Sequence, residues 1–234
     1  MPHFDFKQFR IVHTDSFKVG TDAVLLGAWA ALPQTGNILD VGCGSGIITL
    51  MMAQRSYAHI TGIDIQENSI VEAESNAKAS PFAERITFIN QDIRQFSHPT
   101  PFDCIVTNPP YFEEDTASHN PAENLAKHTI GGLSFEELIS HSARLLADGG
   151  SFQAVIPQNV YSRFTTLAQT YQFALKRAAS IQTSPRKPAK RCLLHFVKTA
   201  AHTEHPVFES ICLQTSEGAR SEAYQEMTKD FYLW

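Results

Sequence analysis

The chain has 234 residues, 43% hydrophobic and 18% charged, with a net charge of −5. That is enough chain for one sizeable domain and too little charge for a disordered one. No apolar run approaches the roughly 18–20 residues that span a bilayer, and residues 1–7 carry no basic-then-apolar leader pattern. Cys43, Cys104, Cys192 and Cys212 form no paired spacing, and the ten histidines form no metal-ligand motif. These features predict reduced thiols, no metal site and a cytoplasmic location.

The charge is unevenly placed. Between Gly149 and Thr203 there is no Asp or Glu but eight Lys or Arg, a local +8 that leaves −13 for the rest. Such asymmetry points to a polyanion meeting one face.

Phe4 to His13 alternates loosely and predicts a short strand or hairpin. The apolar run after Thr21 and Asp22 predicts a buried helix capped by one of those two side chains. Its free N–H groups suit a ligand carboxylate, which makes Thr21 a candidate cofactor contact. Ile38 to Val41 predicts a strand, followed by a glycine turn at Gly42, Gly44 and Gly46 and a helix from Ile47 to Arg55. The D-x-G-x-G-x-G spacing differs from the G-x-G-x-x-G of dinucleotide sites. Asp40 adds a carboxylate at the mouth of the turn, which favours a cationic nucleoside, S-adenosylmethionine, over NAD.

His59 to Asp64 predicts the second core strand. Asp64 lies 18 residues beyond Gly46, near the spacing at which a strand-end acid accepts from a ribose diol. A helix follows from Gln66 to Ala79, then a strand from Arg85 to Asn90. Asp92 at its end suits an adenine amino group, and Ile93 the ring. Phe102 to Thr107 predicts a strand that stops at Asn108-Pro109-Pro110-Tyr111-Phe112, because proline donates no N–H and fixes φ. In an open α/β sheet, that end of the strands binds ligands.

Residues 111–132 form a long polar loop, predicted to be a lid beside the acceptor. Ser134 and Glu137 form a capping box that opens a helix to Leu146, stopped by Asp148-Gly149-Gly150. A strand from Phe152 to Ile156, a helix from Gln158 to Tyr171, and strands over Ala174–Gln182 and Cys192–Val197 follow. Between the last two lies a proline-stiffened basic loop with Arg186, Lys187, Lys190 and Arg191, predicted to meet phosphates.

The set Asp40 to Gly46, Asp64, Asp92 and Asn108-Pro109-Pro110-Tyr111 resembles the amino-group methyltransferases of the Rossmann-like class. The stretch from His13 to Trp29, with Ala126-Lys127-His128, is similar to one family: the bacterial tRNA1(Val) (adenine-37-N6)-methyltransferases, which more often have Arg where Lys127 stands. The similarity runs from about Phe4 to Phe196 and extends towards Trp234. It implies an α/β fold with a mostly parallel sheet of about seven strands, an antiparallel C-terminal hairpin, and helices on both faces. It implies a single domain: an extension over 1–37, a cofactor-binding core over 38–200, and a tail over 201–234 docked on the core.

The implied reaction is methyl transfer from S-adenosylmethionine to the exocyclic N6 of an adenine in the anticodon-loop region of tRNA, by a monomer. The alternatives are an adenine N6 or guanine N2 target in rRNA, or a protein glutamine. The implied catalytic residues are Asn108, Pro109, Pro110 and Tyr111. The implied cofactor contacts are Thr21, Asp40, Gly42, Gly44, Gly46, Asp64, Ile65, Asp92, Ile93 and Asn108. Tyr111 and Phe112 would meet the RNA base. The Asn108 side-chain oxygen and the Pro109 carbonyl would take the two N–H bonds of the amine.

Overall fold

A computed structural model of the chain describes residues 2–13, 19–109, 132–199 and 205–233. Pro110, Tyr111 and Phe112, and the predicted lid up to residue 131, lie outside the described residues, as do Lys127 and Trp234.

The chain opens with a hairpin, β1 (His3–Asp5) paired antiparallel with β2 (Arg10–Val12). Helix α1 (Thr21–Trp29) follows. The core then alternates as β3 (Asn37–Val41), α2 (Ile47–Arg55), β4 (His59–Asp64), α3 (Glu67–Lys78), β5 (Ile86–Asn90) and β6 (Phe102–Thr107). After the gap come α4 (Phe135–Leu145), β7 (Leu146–Pro157), α5 (Tyr161–Thr170), β8 (Phe173–Gln182), β9 (Arg191–Lys198), β10 (Val207–Cys212) and α6 (Glu222–Thr228).

Eight strands form one sheet in the order β10-β8-β9-β7-β6-β3-β4-β5. All neighbours are parallel except β9, which is antiparallel to both β7 and β8. The period of two sends successive side chains to opposite faces. Ile38 and Val106 join the layer of α1 and α2, while Leu39 and Ile105 join that of α4 and α5. Both faces are covered, so β3 and β6 read as continuous apolar runs. The chain winds from β3 outward to β5, then returns through β6 on the other side of β3. That reversal is the switch point of a doubly wound sheet, where a crevice opens beyond the strand ends.

Three expectations need correction. Gly20, not Thr21 or Asp22, caps α1, with no side-chain cap hydrogen bond; Asp22 accepts from Arg191 Nε at 2.9 Å. Asp148-Gly149-Gly150 lies within β7. The strand runs straight out of α4 and absorbs extra residues where its register with β6 shifts between Phe102 and Cys104. Gly149 there has φ of 79°, a conformation glycine adopts without strain. Among the described residues the sheet has eight strands: β10, which the sequence did not announce, pairs with β8 on its outer edge.

The N- and C-terminal segments close on each other. Lys7 N–H donates to the Phe231 carbonyl at 2.8 Å, and Phe6 stacks on Tyr232 with ring centroids 5.7 Å apart. Among the described residues, no helix is long and apolar enough to cross a membrane.

Candidate active site

The glycine turn after β3 is built to keep its upper surface bare. Gly42, Gly44 and Gly46 have φ of 72°, 53° and 83°, values that disfavour any residue with a Cβ. A Cβ on Gly42 or Gly44 would point into open space, so the turn leaves room for a ligand against its backbone. Gly46 has a different task. It starts α2 in the left-handed conformation, and a Cβ there would press on Phe88 and Ala73 at 3.1 and 3.3 Å. Packing against α3 and β5 accounts for the glycine at this position, and Gly46 is not among the residues lining the crevice beside the turn.

The turn is anchored to the next strand. Gly42 and Cys43 N–H groups donate to the Ile63 carbonyl at 2.9 and 3.1 Å. The Asp64 carboxylate accepts from Gly44 N–H at 3.0 Å and from Gln66 N–H at 2.9 Å. These bonds hold Asp64 at the strand end. From β6, the buried Thr107 hydroxyl donates to the Val41 carbonyl at 2.9 Å. This bond joins the two strand ends at the switch point and sets Asn108 and Pro109 beside the glycine turn.

The result is a crevice of about 540 Å³. Of the expected residues, Gly42, Gly44, Asp64, Ile65, Asp92, Ile93, Asn108 and Pro109 line it. Thr21 does not: it is exposed at the start of α1, and Gly20 and Ala23 face the crevice instead. Asp40 does not line it either. Its carboxylate has no exposed surface and lies beneath the turn, where one oxygen accepts from the Thr49 hydroxyl at 2.6 Å. The other oxygen has no hydrogen-bond partner among the described residues. Burial raises the Asp40 pKa to about 7, opposed by the Thr49 hydrogen bond.

Asp92 is held from its own turn. Arg94 Nε and Nη2 reach its carboxylate at 2.9 and 2.5 Å, and the Arg94 N–H donates to it at 2.8 Å. That pairing with Arg94 keeps the Asp92 carboxyl below the usual carboxylate range. Arg94 also lines the crevice and approaches Glu137 at 3.4 Å. Sequence reading missed Arg94, although the Asp-x-Arg spacing signals such a pair. It also missed Thr107, whose partner is 66 positions away. Glu137 completes the expected capping box with Ser134. Cys43 faces the crevice, but burial pushes its thiol well up, so it stays protonated.

Several features fit a cationic nucleoside. An orphaned carboxylate oxygen lies under the turn, and Asp64 and Asp92 are fixed at neighbouring strand ends. The apolar Ile65 lies 59% exposed at the crevice. Asp64 and Asp92 would meet hydroxyl and amino donors, while bare glycine backbone admits the ligand's tail. Arg94, the only Lys or Arg lining the crevice among the described residues, is already committed to carboxylates.

The fold and this crevice define the class: a Rossmann-like, S-adenosylmethionine-dependent methyltransferase. The sequence model of the methyltransferase small domain matches residues 14–179. A solved structure described as a predicted O-methyltransferase from Agrobacterium tumefaciens superposes with a TM-score of 0.70 at 19% identity, covering 90% of this chain and 96% of that one. A TehB-like methyltransferase from Corynebacterium glutamicum gives 0.52 at 20% identity, over 79% and 90%; both likenesses concern the fold. The tRNA1(Val) (adenine(37)-N6)-methyltransferase of Phocaeicola vulgatus is 41% identical over 233 residues, 99% of this chain and 98% of its own. The Yersinia pestis relative of the same name is 39% identical over 98% and 93%. The chain belongs to the tRNA1(Val) (adenine(37)-N6)-methyltransferase family.

Proposed function

We propose that the chain methylates the exocyclic N6 of adenine 37 in tRNA1(Val), and that Asn108 and Pro109 orient that amine. The supporting observation is the Thr107–Val41 bond, which fixes the Asn-Pro turn beside the glycine turn on a shared crevice. S-adenosylmethionine is the cofactor, and when bound it supplies an electrophilic methyl group on a sulfonium.

The residues divide the work. Asp64 takes the ribose hydroxyls and Asp92 the adenine amino group, with Ile65 and Ile93 against the ring. The target amine is a poor nucleophile, because its lone pair is delocalised into the base. Two acceptors, the Asn108 Oδ1 and the Pro109 carbonyl, take its two N–H bonds and favour a pyramidal nitrogen whose lone pair points at the methyl group. The same oxygens stabilise the positive charge that grows on nitrogen. No strong base is required, since the proton leaves to water after transfer. Tyr111 and Phe112, next in sequence, supply the aromatic surface for a base turned out of its loop.

Labelled S-adenosylmethionine with a tRNA1(Val) transcript tests this. Methyl incorporation at adenine 37, lost when that adenine is replaced by guanine, is expected. Incorporation that survives the replacement, or that occurs only with rRNA or protein, would overturn it.

A further inference from the structure

Of the eight cations between Gly149 and Thr203, three form ion pairs with described residues. Arg177 pairs with Glu209 at 2.8 Å and lies over the Trp29 ring at 4.1 Å. Arg191 pairs with Asp22, and Lys198 with Asp148 at 3.1 Å. Arg191, expected to serve RNA, ties β9 to α1 through this pair and is set apart from the loop cations. Arg186, Lys187 and Lys190 are exposed and form no ion pair with the described residues.

These three stand on loop 183–190 between β8 and β9, and backbone hydrogen bonds tie the loop down. Lys187 N–H donates to the Ser184 carbonyl, Lys190 N–H to that of Ile181, and Gln158 N–H to that of Lys190, each at 3.0 Å. Pro185 and Pro188 fix φ at two further positions. A stiff cationic loop loses little entropy when it binds.

Topology sets its place. β8 runs parallel to β7 and β6, because both β8 and β7 are antiparallel to β9. The loop therefore leaves the same sheet edge as Asn108. The register sets Thr107 level with Ala154, Leu194 and Ala178, and the loop begins beyond that level. Three strand spacings separate β6 from β8, about 14 Å. At that separation the loop suits phosphates beyond those of the flipped nucleotide.

We propose that loop 183–190 is a phosphate-binding surface for the RNA substrate, with Arg186, Lys187 and Lys190 on backbone phosphates remote from the methylated base. This rests on the RNA reading above. Cations without protein partners recognise phosphate without reading sequence. The loop carries no large apolar side chain that would favour a lipid surface.

The test is retention of tRNA1(Val) on filters across a salt series, with the rate at saturating tRNA and the affinity for S-adenosylhomocysteine measured alongside. In the Arg186→Gln, Lys187→Gln, Lys190→Gln variant, affinity at 0.15 M salt should fall on the order of 100-fold and the log–log salt slope by about 2–3. The saturated rate and the S-adenosylhomocysteine affinity should hold. Lys187→Gln alone should cost about fivefold, whereas Lys176→Gln, nearer the opposite end of β8, should cost less than twofold. An unchanged slope in the triple variant, or equal losses for Lys176 and Lys187, would overturn the proposal. So would binding of an acidic protein or anionic vesicles that the triple variant loses while tRNA affinity stays intact. Failure of the functional reading looks different: the unaltered protein itself would neither bind nor methylate tRNA.

Discussion

Replacing Asp40 by Asn gives a prediction whose size follows from the structure. The carboxylate is fully buried under the glycine turn, with one oxygen on Thr49 and the other without a partner among the described residues. Its pKa rises from 3.8 to about 7, so the native state holds a proton that the unfolded chain releases. Stability therefore falls as pH climbs from about 4 to about 7, and levels off above. Between pH 5.5 and 8.5 this one group costs about 2 kcal/mol at 1.36 kcal/mol per unit. Asn does not ionise, so the stability of Asp40→Asn relative to the unaltered protein should improve by about that amount across the same interval. Urea unfolding without cofactor at pH 5.5, 7 and 8.5 measures it. A ligand that brings a positive charge into the crevice above the turn favours the carboxylate by attraction through the turn, so S-adenosylhomocysteine should bind more tightly as pH rises through about 7, and the Asn variant should flatten that rise. A relative stability independent of pH, or one that moves the other way, would refute the reasoning.

The remaining predictions concern the crevice. Asn108→Ala should lower the saturated rate at least about 100-fold while S-adenosylhomocysteine affinity survives; the reverse pattern in calorimetry and turnover would give Asn108 another role. Arg94→Met should release Asp92, weaken cofactor binding about tenfold through a lost charged hydrogen-bond pair, and spare the saturated rate. The same change should narrow the preference for S-adenosylhomocysteine over its inosine form, since that preference depends on where Asp92 is held. Asn76→Leu removes an amide that bonds both Val12 backbone groups and the Ser45 carbonyl, at 2.9–3.0 Å. It should cost roughly 3 kcal/mol in chemical denaturation and weaken the cofactor by loosening the glycine turn.

Local patterns made most of this molecule legible. The β3 to β6 region is written in apolar runs punctuated by Gly, Asp and Pro, and Gly42, Gly44, Asp64, Asp92 and Pro109 lie at the ligand edge. The capping box at Ser134 was equally plain, because both partners lie within one turn. Misreadings came where a residue's partner is remote. Asp22 looked like a cap until Arg191 arrived from 169 positions away. Asp40 looked like a ligand because its spacing was right, but the period of two puts it on the face of Ile38, against Thr49 on α2. β10 escaped because an edge strand with Val207 and Phe208 exposed lacks buried alternation. The three-dimensional meaning of the basic stretch also needed the sheet order. Six of the eight cations resolve into three internal pairs and three side chains on a hydrogen-bonded loop at the ligand edge.

The central claim is that oxygens of Asn108 and Pro109 hold the target amine. A crystal structure with S-adenosylhomocysteine and the tRNA1(Val) anticodon stem-loop measures it directly. The account predicts the N6 of adenine 37 within about 3 Å of both oxygens, facing the cofactor sulfur. An adenine seated in the crevice with its N6 bonded to neither would contradict it.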